Sequence, residues 1–353
     1  MKLDSLTGLR AILAVLVVVC HGGQRVGWLE KQDIVSGVLV GFGHFGVVCF
    51  FVLSGFILNI VYFNRDWTIR EYTVNRFARI YPLYFLCLIF TFPIDWFSPG
   101  FESGNRIESL LLTLMMQQSW FDFSNGRFNG PGWTLGVEFF FYATFPILVA
   151  IQRRRSIWLL LLFFFSMTAS MVFWDPSDFY CAHRFPLMRI WEFILGMVLG
   201  QRFLTRKALI KVKHRVPLAM LVLLAGSTLG HFFPVFLGWA FSEWLLMSFC
   251  AGTVIVLLGD RDREPGARSM MAGKKWVLGG EISFGVYLLH DGVQRYSKVA
   301  LEKGFNIKIE SADLLVKGGY IGTTLVGSIV LAWVLYQVVE VPGRKYFRER
   351  LGK

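Results

Sequence analysis

The chain opens with an apolar run between two ionisable residues, Arg10-Ala-Ile-Leu-Ala-Val-Leu-Val-Val-Val-Cys20-His21. Ten consecutive positions of Ala, Ile, Leu, Val and Cys predict a membrane-spanning helix. A helix rises about 1.5 Å per residue, so Arg10 and His21 are expected roughly 16 Å apart along its axis. Ionisable groups beside an apolar span are costly and usually mark a pathway or a reactive site. An interfacial anchor with a helix-terminal histidine would give the same spacing.

This apolar character continues along the whole chain of 353 residues, which is 55% hydrophobic and has a mean hydropathy of +0.53. Because lipid offers backbone groups no partners, the pattern predicts an all-α polytopic membrane protein, with residues 1–353 forming one domain. A shorter apolar run, 107–118, is predicted to be re-entrant or interfacial. Ten spans are predicted, at 9–25, 42–63, 80–97, 133–151, 156–174, 186–201, 216–233, 237–258, 277–294 and 319–339.

The positions of Lys and Arg predict the orientation of these spans. The net charge is +12, but the basic residues lie in short loops between spans, so no nucleic-acid partner is predicted. With the N-terminus inside, 25 of the 36 Lys and Arg fall on the inner side. We therefore predict that both termini are cytoplasmic and that the protein lies in a bacterial inner membrane. The cysteine spacing predicts neither a disulfide framework nor a metal site.

In this orientation, several titratable residues lie near the outer ends of spans. Carboxylates that face lipid are expensive, so these side chains should face the bundle interior or a wet cavity. A cluster of imidazoles and carboxylates indicates a proton-handling site, although structural ion pairs, such as Arg189 with Glu192 one turn later, would give the same pattern. The residues are His21, His44, Glu138, Glu192, Glu243 and His290.

The stretch Arg76-Phe-Ala-Arg79-Ile-Tyr-Pro82 approaches the third span from the inner side. Arg76 and Arg79 are one turn apart on one helical face. Guanidinium groups bind phosphates bidentately, so the pair is a candidate dock for an anionic cytoplasmic cofactor. Positive-inside anchoring is the alternative explanation.

Two further stretches carry polar side chains into spans. In Gly130-Pro-Gly-Trp-Thr-Leu-Gly-Val-Glu138-Phe-Phe-Phe-Tyr142, the carboxylate and the hydroxyl are i, i+4 neighbours and can point the same way. In Ile282-Ser-Phe-Gly-Val-Tyr-Leu-Leu-His290, polar residues spaced four and then three apart line one face. Interhelical hydrogen bonding would explain such a stripe as well as catalysis does. The residues of this stripe are Ser283, Tyr287 and His290.

Two glycine motifs are predicted to serve packing. Gly41-Phe-Gly43-His-Phe-Gly46 matches GxGxxG, but it follows no strand, so close helix packing is predicted rather than dinucleotide binding. Ser54-Gly55 resembles a nucleophile position, but it lacks the α/β sheet that such an elbow needs. A packing role is predicted there too.

Taken in order, these stretches resemble the bacterial integral-membrane acyltransferase-3 family, which includes O-antigen, exopolysaccharide and nodulation-factor acyltransferases. The resemblance implies transfer of an acyl group, usually acetyl from acetyl-CoA, to a sugar hydroxyl. It also implies that Arg10 and His21 form the family's arginine–ten–histidine motif, and Arg76 with Arg79 its RxxR motif, both held essential for activity. The resemblance covers nearly the whole chain, through residues 3–10, 21, 50–56, 76–82, 133–142, 189–196 and 282–290.

The chain departs from the family pattern in two places. Members often carry an acidic or polar residue just after the Gly-Val of the second span, where this chain has Val48 and Cys49, so an acceptor contact at that position is not expected. Some members carry a fused extracytoplasmic SGNH domain, and this chain is expected to act without one.

The hypothesised mechanism places the CoA phosphates at Arg76 and Arg79, together with Arg10, and brings the thioester to His21. The imidazole, with an ordinary pKa near 6.5, takes the proton of the attacking sugar hydroxyl or carries the acyl group itself. A carboxylate, Glu138 or else Glu192, would orient this imidazole. His290 is the other catalytic candidate, as a second base or an oxyanion donor. Supporting roles are predicted for Tyr142, Ser283, Tyr287 and Glu192.

Acyl-CoA is predicted as a co-substrate, with no permanently bound cofactor and no metal. The expected partners are a glycan or lipid-linked sugar acceptor and the lipid bilayer, and the sequence does not specify an oligomeric state. The rival hypothesis is a polytopic transporter that exports a glycan precursor or a small carboxylate. Transporters commonly show inverted repeats, and no two-half symmetry is evident in this sequence.

Overall fold

The computed structural model describes residues 2–28, 34–97, 105–124, 127–173, 183–205, 214–237, 241–263 and 270–351. Within these ranges the chain forms α-helices joined by short 3-10 turns, and they contain no β-strand. The helices are α1 (Asp4–Arg25), α2 (Ile34–Tyr62), α3 (Ile69–Trp96), α4 (Arg106–Leu114), α5 (Trp133–Arg154), α6 (Ser156–Val172), α7 (Pro186–Thr205), α8 (Arg215–Leu237), α9 (Phe241–Asp262), α10 (Lys274–Phe305), α11 (Leu314–Leu335) and α12 (Val341–Leu351).

The all-α membrane class predicted from the sequence is confirmed. Each of the ten predicted spans coincides with a helix, and the short run at 107–118 begins as the nine-residue helix α4. By length and composition, six helical segments of the described chain can cross a membrane, while α6 and the start of α8 are shorter apolar helices. The number of crossings and the side of the termini stay predictions. The six segments are Asp4–Arg25, Ser36–Tyr62, Ile69–Trp96, Gly130–Arg154, Glu243–Asp262 and Leu314–Leu351.

Local capping explains where some helices begin. The hydroxyl oxygen of Thr68 accepts a hydrogen bond of 3.1 Å from the backbone N–H of Glu71, which caps α3. The carboxylate of Asp313 accepts one of 2.8 Å from the N–H of Val316 and caps α11 in the same way. Helix α3 therefore starts well before its apolar part.

The helices form two compact units. The first unit comprises Met1–Arg65, Ile147–Ala182 and Leu187–Ser283. The second comprises Asp66–Pro146, His183–Pro186 and Phe284–Lys353. The assignment of residues 1–353 to a single functional domain stays a prediction.

In the first unit, α1 packs against α2, and α2 packs against α8 and α9. Glycines allow the close approaches. A Cβ atom built on Gly43 would lie 2.5 Å from the sulfur of Cys20, and one on Gly55 would lie 2.0 Å from the carbonyl oxygen of Phe193. Because Cβ atoms essentially never come closer than 3.0 Å to such atoms, a side chain at either position would force its neighbour to shift. The predicted packing role of both glycine motifs is confirmed.

The C-terminal end of α2 is held by Arg153 at the end of α5. The guanidinium of Arg153 donates hydrogen bonds of 2.7, 2.8 and 2.6 Å to the carbonyl oxygens of Tyr62, Phe63 and Arg65. The last carbonyls of a helix have no partner within it, so this arginine satisfies the end of α2 from another helix.

In the second unit, α12 packs against α3, and a π-helical turn, Tyr336–Glu340, joins α11 to α12. The buried carboxylate of Glu340 lies 3.2 Å from the guanidinium of Arg344. The hydroxyl of Tyr84 on α3 donates a 2.7 Å hydrogen bond to the carbonyl oxygen of Thr113. That bond fixes the short helix α4 against α3.

Candidate active site

The predicted site residues are distributed over both units. Each unit holds at least one predicted catalytic side chain and at least one arginine of the predicted acyl-CoA dock. The first unit contains Arg10, His21, Glu192 and Ser283, and the second contains Arg76, Arg79, Glu138, Tyr142, Tyr287 and His290.

The second unit has a hydroxyl pair at the start of α5. The hydroxyl of Tyr287 lies 2.9 Å from that of Thr134 and donates a 3.1 Å hydrogen bond to the carbonyl oxygen of Pro131. Glu138 follows Thr134 by one turn on the same face of α5, and its half-buried carboxylate acts electrostatically on Tyr287. The structure thus places Glu138 within electrostatic range of Tyr287 and adds Thr134, which the sequence analysis did not single out.

His290 lies one turn after Tyr287 on α10 and is completely buried. Its Nδ1 atom lies 2.6 Å from the carbonyl oxygen of Tyr287. A carbonyl oxygen only accepts hydrogen bonds, so in the neutral ring Nδ1 carries the proton and Nε2 carries the lone pair. This is the tautomer in which Nε2 acts as a base.

The segment that precedes α5 is fixed to it by side chains. Gln118 donates a 2.6 Å hydrogen bond to the carbonyl oxygen of Gly132, and Ser119 donates one of 2.5 Å to that of Trp133. Asn129 donates a 3.1 Å hydrogen bond to the carbonyl oxygen of Leu288 on α10. These bonds hold the start of α5 in place beside the Tyr287 turn of α10.

Arg184 is a cation near this site that the sequence analysis missed. Its guanidinium carbon lies 5.8 Å from the centre of the Trp133 ring. Burial lowers the pKa of Arg184, while the nearby Tyr287 and Asp122 raise it. An ordinary arginine pKa is above 12, so the side chain stays charged at neutral pH. Arg184 is far in sequence from both Trp133 and Tyr287, so no local pattern indicates that these side chains lie close together.

The arginine pair of the second unit lies in the second and third turns of α3 rather than at the start of this helix. The side chains of Arg76 and Arg79 are half-buried, and both have contacts within the protein. The carbonyl oxygen of Tyr142 accepts a 2.9 Å hydrogen bond from Tyr72, which lies one turn before Arg76. This bond joins α5, one turn after Glu138, to the N-terminal part of α3.

In the first unit, α1 carries Arg10 in its second turn and His21 just before its last turn, and both side chains are half-buried. His21 follows directly after Cys20, which packs on Gly43. Ser283 is buried and donates a 2.7 Å hydrogen bond to the carbonyl oxygen of Gly280, one turn earlier. Its hydroxyl therefore has a partner in its own helix.

Glu192 forms the ion pair that the i, i+3 spacing allowed. An oxygen of its carboxylate lies 2.8 Å from the guanidinium of Arg189, and both side chains are at most 1% exposed. Ser248 on α9 donates a 3.3 Å hydrogen bond to the same carboxylate. The sequence analysis left open whether Glu192 forms a structural ion pair with Arg189, and the structure shows that it does.

The structure also pairs two of the titratable residues on different helices of the first unit. Nδ1 of His44 on α2 lies 2.7 Å from a carboxylate oxygen of Glu243 on α9. A carboxylate accepts this bond, so Nε2 of the neutral His44 ring is the basic nitrogen. The sequence placed both residues near the ends of spans but gave no signal that the two would meet. Among the described residues, no three His, Cys, Asp or Glu side chains are grouped as metal ligands would be.

Comparison with known families decides the identity of the chain. A family profile described as an acyltransferase domain matches residues 3–336. The chain belongs to the acyltransferase-3 family. The resemblance seen in the sequence motifs is confirmed, and the protein is a multi-pass membrane enzyme that transfers acyl groups.

Individual members of the acyltransferase-3 family are similar along much of the chain. The acyltransferase MdmB of Streptomyces mycarofaciens is 28% identical, over 97% of this chain and 91% of its own length. The exopolysaccharide production protein ExoZ of Rhizobium meliloti is 26% identical, over 79% of this chain and 86% of its own. The peptidoglycan O-acetyltransferase OatA of Listeria monocytogenes is 24% identical, over 40% of this chain and 23% of its own. No solved structure matches the chain.

Proposed function

We propose that this acyltransferase moves an acyl group, most simply acetyl, from acyl-CoA to a sugar hydroxyl of an exported or cell-surface glycan or glycolipid. The names of two similar proteins support a glycan acceptor, because one is an exopolysaccharide production protein and another a peptidoglycan O-acetyltransferase. Acetyl is supported by the second of these names. The membrane is proposed to be the bacterial inner membrane, with both termini cytoplasmic, on the distribution of Lys and Arg.

The observation that carries the proposal is the base-competent imidazole beside a hydroxyl pair. His290 is buried with its lone pair on Nε2, and its ring lies 5.9 Å from that of Tyr287. The Tyr287 hydroxyl is 2.9 Å from that of Thr134, and the carboxylate of Glu138 acts electrostatically on Tyr287. Acyl transfer to an alcohol needs a base for the attacking hydroxyl and donors for the developing oxyanion. The imidazole would be the base, and a hydroxyl of the pair would serve the oxyanion by exchanging its present acceptor, the carbonyl oxygen of Pro131, for the substrate oxygen.

The donor is proposed to bind through arginines. Arg76 and Arg79 lie one turn apart on one face of α3, and Arg10 lies in the second turn of α1. The phosphates of acyl-CoA would pair with these guanidiniums, and its pantetheine arm would reach toward His21. The alternative is that these arginines only anchor the helices by the positive-inside rule. Measuring CoA binding to the arginine variants distinguishes the two explanations.

The proposed reaction conserves atoms and charge. The sugar oxygen attacks the thioester carbonyl, an imidazole takes the hydroxyl proton, the carbon–sulfur bond breaks, and the departing CoA thiolate receives that proton. In the covalent variant, His21 attacks first and passes the acyl group from its ring nitrogen to the sugar. Glu138 would stabilise the imidazolium in either case, and His290 would serve as a second base.

The experiment that tests this proposal uses the purified protein in nanodiscs with radiolabelled acetyl-CoA and no acceptor. The variants are His21→Ala, His290→Asn and Arg79→Ala, because asparagine keeps a donor in the place of Nδ1 and removes only Nε2. We expect thioester hydrolysis or protein-bound label in the wild type, and a loss of about 10²- to 10⁴-fold in the histidine variants. Label trapped on the protein would select the covalent variant.

Two control variants accompany the measurement. The exposed residues His214 and Arg350 are changed to alanine and are expected to keep the wild-type activity. If neither the wild type nor any variant binds CoA, the assignment of acyl-CoA as donor is wrong. The hypothesis of a glycan-precursor exporter would then explain the data better. Family membership favours the enzyme over that exporter.

A further inference from the structure

The first unit has a surface groove with a volume of about 590 Å³ between the end of α5 and the first turns of α6. Its two ends differ in chemistry. Arg154 and Arg155 line one end, and Trp158, Leu161 and Phe165 of α6 line the rest together with two further aliphatic side chains. The groove therefore combines positive charge with an apolar wall, and neither feature takes part in the proposed transfer reaction.

The two arginines at the charged end differ from their neighbour Arg153 in their contacts. They follow Arg153, whose guanidinium is bound by three backbone carbonyl groups. Arg154 and Arg155, by contrast, are exposed and make no side-chain hydrogen bond or ion pair with any of the residues that the structure describes. Positive charge at any nearby position would suffice to set the orientation of the helices in the membrane. These two guanidiniums, however, both line the same groove.

The apolar wall runs along a single face of α6. Trp158, Leu161 and Phe165 are spaced three and then four apart, so their side chains follow one another along the helix. They are 54%, 50% and 72% exposed. At about 1.5 Å per residue, Arg155 and Phe165 are roughly 15 Å apart along the axis, the depth of one leaflet's hydrocarbon. Tryptophan just inside the charged end has the position typical of a membrane interface.

We propose that this groove binds one anionic phospholipid, with its headgroup phosphate on Arg154 and Arg155 and an acyl chain along the α6 face. A free phosphate would use only the arginines and leave the apolar wall exposed. Acyl-CoA fits less well, because its pantetheine arm carries two amides, and the wall beyond the arginines offers mainly hydrocarbon to pair with them. Basic pockets between membrane helices are a general means of binding acidic headgroups.

The test uses the full-length protein in phosphatidylcholine liposomes that contain a photoactivatable phosphatidylglycerol with a diazirine on one acyl chain. After irradiation, mass spectrometry locates the label. We expect labelled peptides from the α6 face, at residues 158–165. The double variant Arg154→Gln/Arg155→Gln should reduce this labelling by about ten- to thirty-fold, because each basic residue near the surface contributes about 1 kcal/mol of attraction.

Matched controls separate this site from general lipid contact. The variant Arg348→Gln/Arg350→Gln removes the same charge from the exposed face of α12 and should leave labelling of α6 unchanged. A photoactivatable phosphatidylcholine with the same chains should label α6 weakly in every variant. Unlabelled phosphatidylglycerol should compete with the probe.

Three results would overturn the proposal. Equal labelling of α6 by the phosphatidylglycerol and phosphatidylcholine probes would show that the lipid there is ordinary annular lipid. Unchanged labelling in the Arg154/Arg155 variant would show that the two arginines do not bind the headgroup. Competition by free CoA as strong as that by phosphatidylglycerol would assign the groove to the donor substrate instead. A thermal unfolding curve that matches the wild type confirms that the variant is folded in each comparison.

Discussion

Arg189 shows what it takes to keep a cation buried inside a membrane protein. Its guanidinium lies 2.8 Å from the carboxylate of Glu192 and 3.9 Å from the centre of the Trp244 ring, and the ring of Phe51 covers it from another side. Removing a charge from water costs several kcal/mol, so the pair persists only because both partners and the aromatic faces compensate for that loss. The pair thus joins residues of three helices, α7, α9 and α2.

The first prediction concerns this ion pair. Glu192→Met leaves the buried Arg189 without its carboxylate and should lower the free energy of unfolding by about 3–5 kcal/mol. The double variant Arg189→Met/Glu192→Met removes both charges and should recover most of that loss. Thermal unfolding in detergent measures both variants. If the double variant is no more stable than Glu192→Met alone, the two charges do not depend on each other.

A second prediction concerns Glu310, in the turn between α10 and α11. The amine of Lys298 donates a hydrogen bond to this carboxylate and lowers the pKa of Glu310 below its ordinary value. A carboxyl whose pKa is lowered by folding stabilises the fold above its unfolded pKa, about 4.3, and loses this contribution as pH falls through the folded value. Lys298→Gln should therefore lower the melting temperature at pH 6 by more than at pH 3.

The control for this pH effect is Lys303→Gln on the same helix. The melting temperature of this control variant should differ from that of the wild type by the same amount at pH 6 and at pH 3. A Lys298 variant whose deficit does not shrink on acidification would contradict the role of Glu310. The effect is expected to be small, because both side chains of the pair are partly exposed.

At this scale, residue spacing predicted some contacts and could not predict others. Arg189 and Glu192 are one turn apart on one helix, so their ion pair was available to sequence reasoning. The partners His44 and Glu243 are 199 positions apart, and nothing in either local sequence indicates the other. The protonated nitrogen of His290 could not be predicted either, because Nδ1 reaches the carbonyl oxygen of Tyr287 in only one orientation of the ring.

The packing of α2 against α7 is set by two glycines that approach each other's helix backbone. A Cβ atom on Gly196 would lie 2.0 Å from the carbonyl oxygen of Val52, and one on Gly55 would lie 2.0 Å from that of Phe193. The obstacle in both cases is backbone, which cannot rotate away as a flexible side chain does. Small residues at such contacts let membrane helices approach closely and gain dispersion energy.

The third prediction follows from this contact. Gly196→Ala should force α2 and α7 apart and lower stability by about 1–3 kcal/mol, the usual cost of overpacking. Gly322→Ala on α11 is the matched control, because a Cβ atom there meets no atom within 4 Å. Thermal unfolding of the two variants measures the difference. Equal melting temperatures would show that the helices repack at little cost.

Hydropathy predicted the positions of the helices more accurately than it predicted their ends. The predicted spans 42–63 and 80–97 belong to helices that begin at residues 34 and 69, and the span 277–294 belongs to a helix of 32 residues. Hydropathy detects the apolar part of a helix, whereas its ends depend on caps such as Thr68 and on contacts outside the lipid. This is why Arg76 and Arg79 lie inside α3 rather than before it.

For the molecule as a whole, the charge distribution sets the orientation in the membrane. The loops predicted to be inner hold 25 of the 36 Lys and Arg, so the positive-inside rule predicts that both termini are cytoplasmic. The family profile fixes the enzyme class but not the number of crossings.

The fourth prediction tests this orientation with reporter fusions. Green fluorescent protein after Leu351 should fluoresce, because it folds in the cytoplasm, and alkaline phosphatase inserted at Ile307 should be active, because it needs the oxidising outer side. The same phosphatase inserted after Thr205 is the control and should be inactive. The opposite pattern at all three positions would invert the topology.

The bond between Arg153 and the end of α2 has a consequence for how the protein is made. The arginine is synthesised 88 to 91 residues after the three carbonyl groups that it binds. At a translation rate of about 5–20 residues per second, the end of α2 is synthesised roughly 4 to 18 seconds before Arg153. During that interval the insertion machinery, water or lipid headgroups must serve those carbonyls. In a nascent chain that ends before α5, the last carbonyl groups of α2 therefore lack their arginine partner and the helix end frays. We expect membrane quality-control proteases to recognise this frayed end.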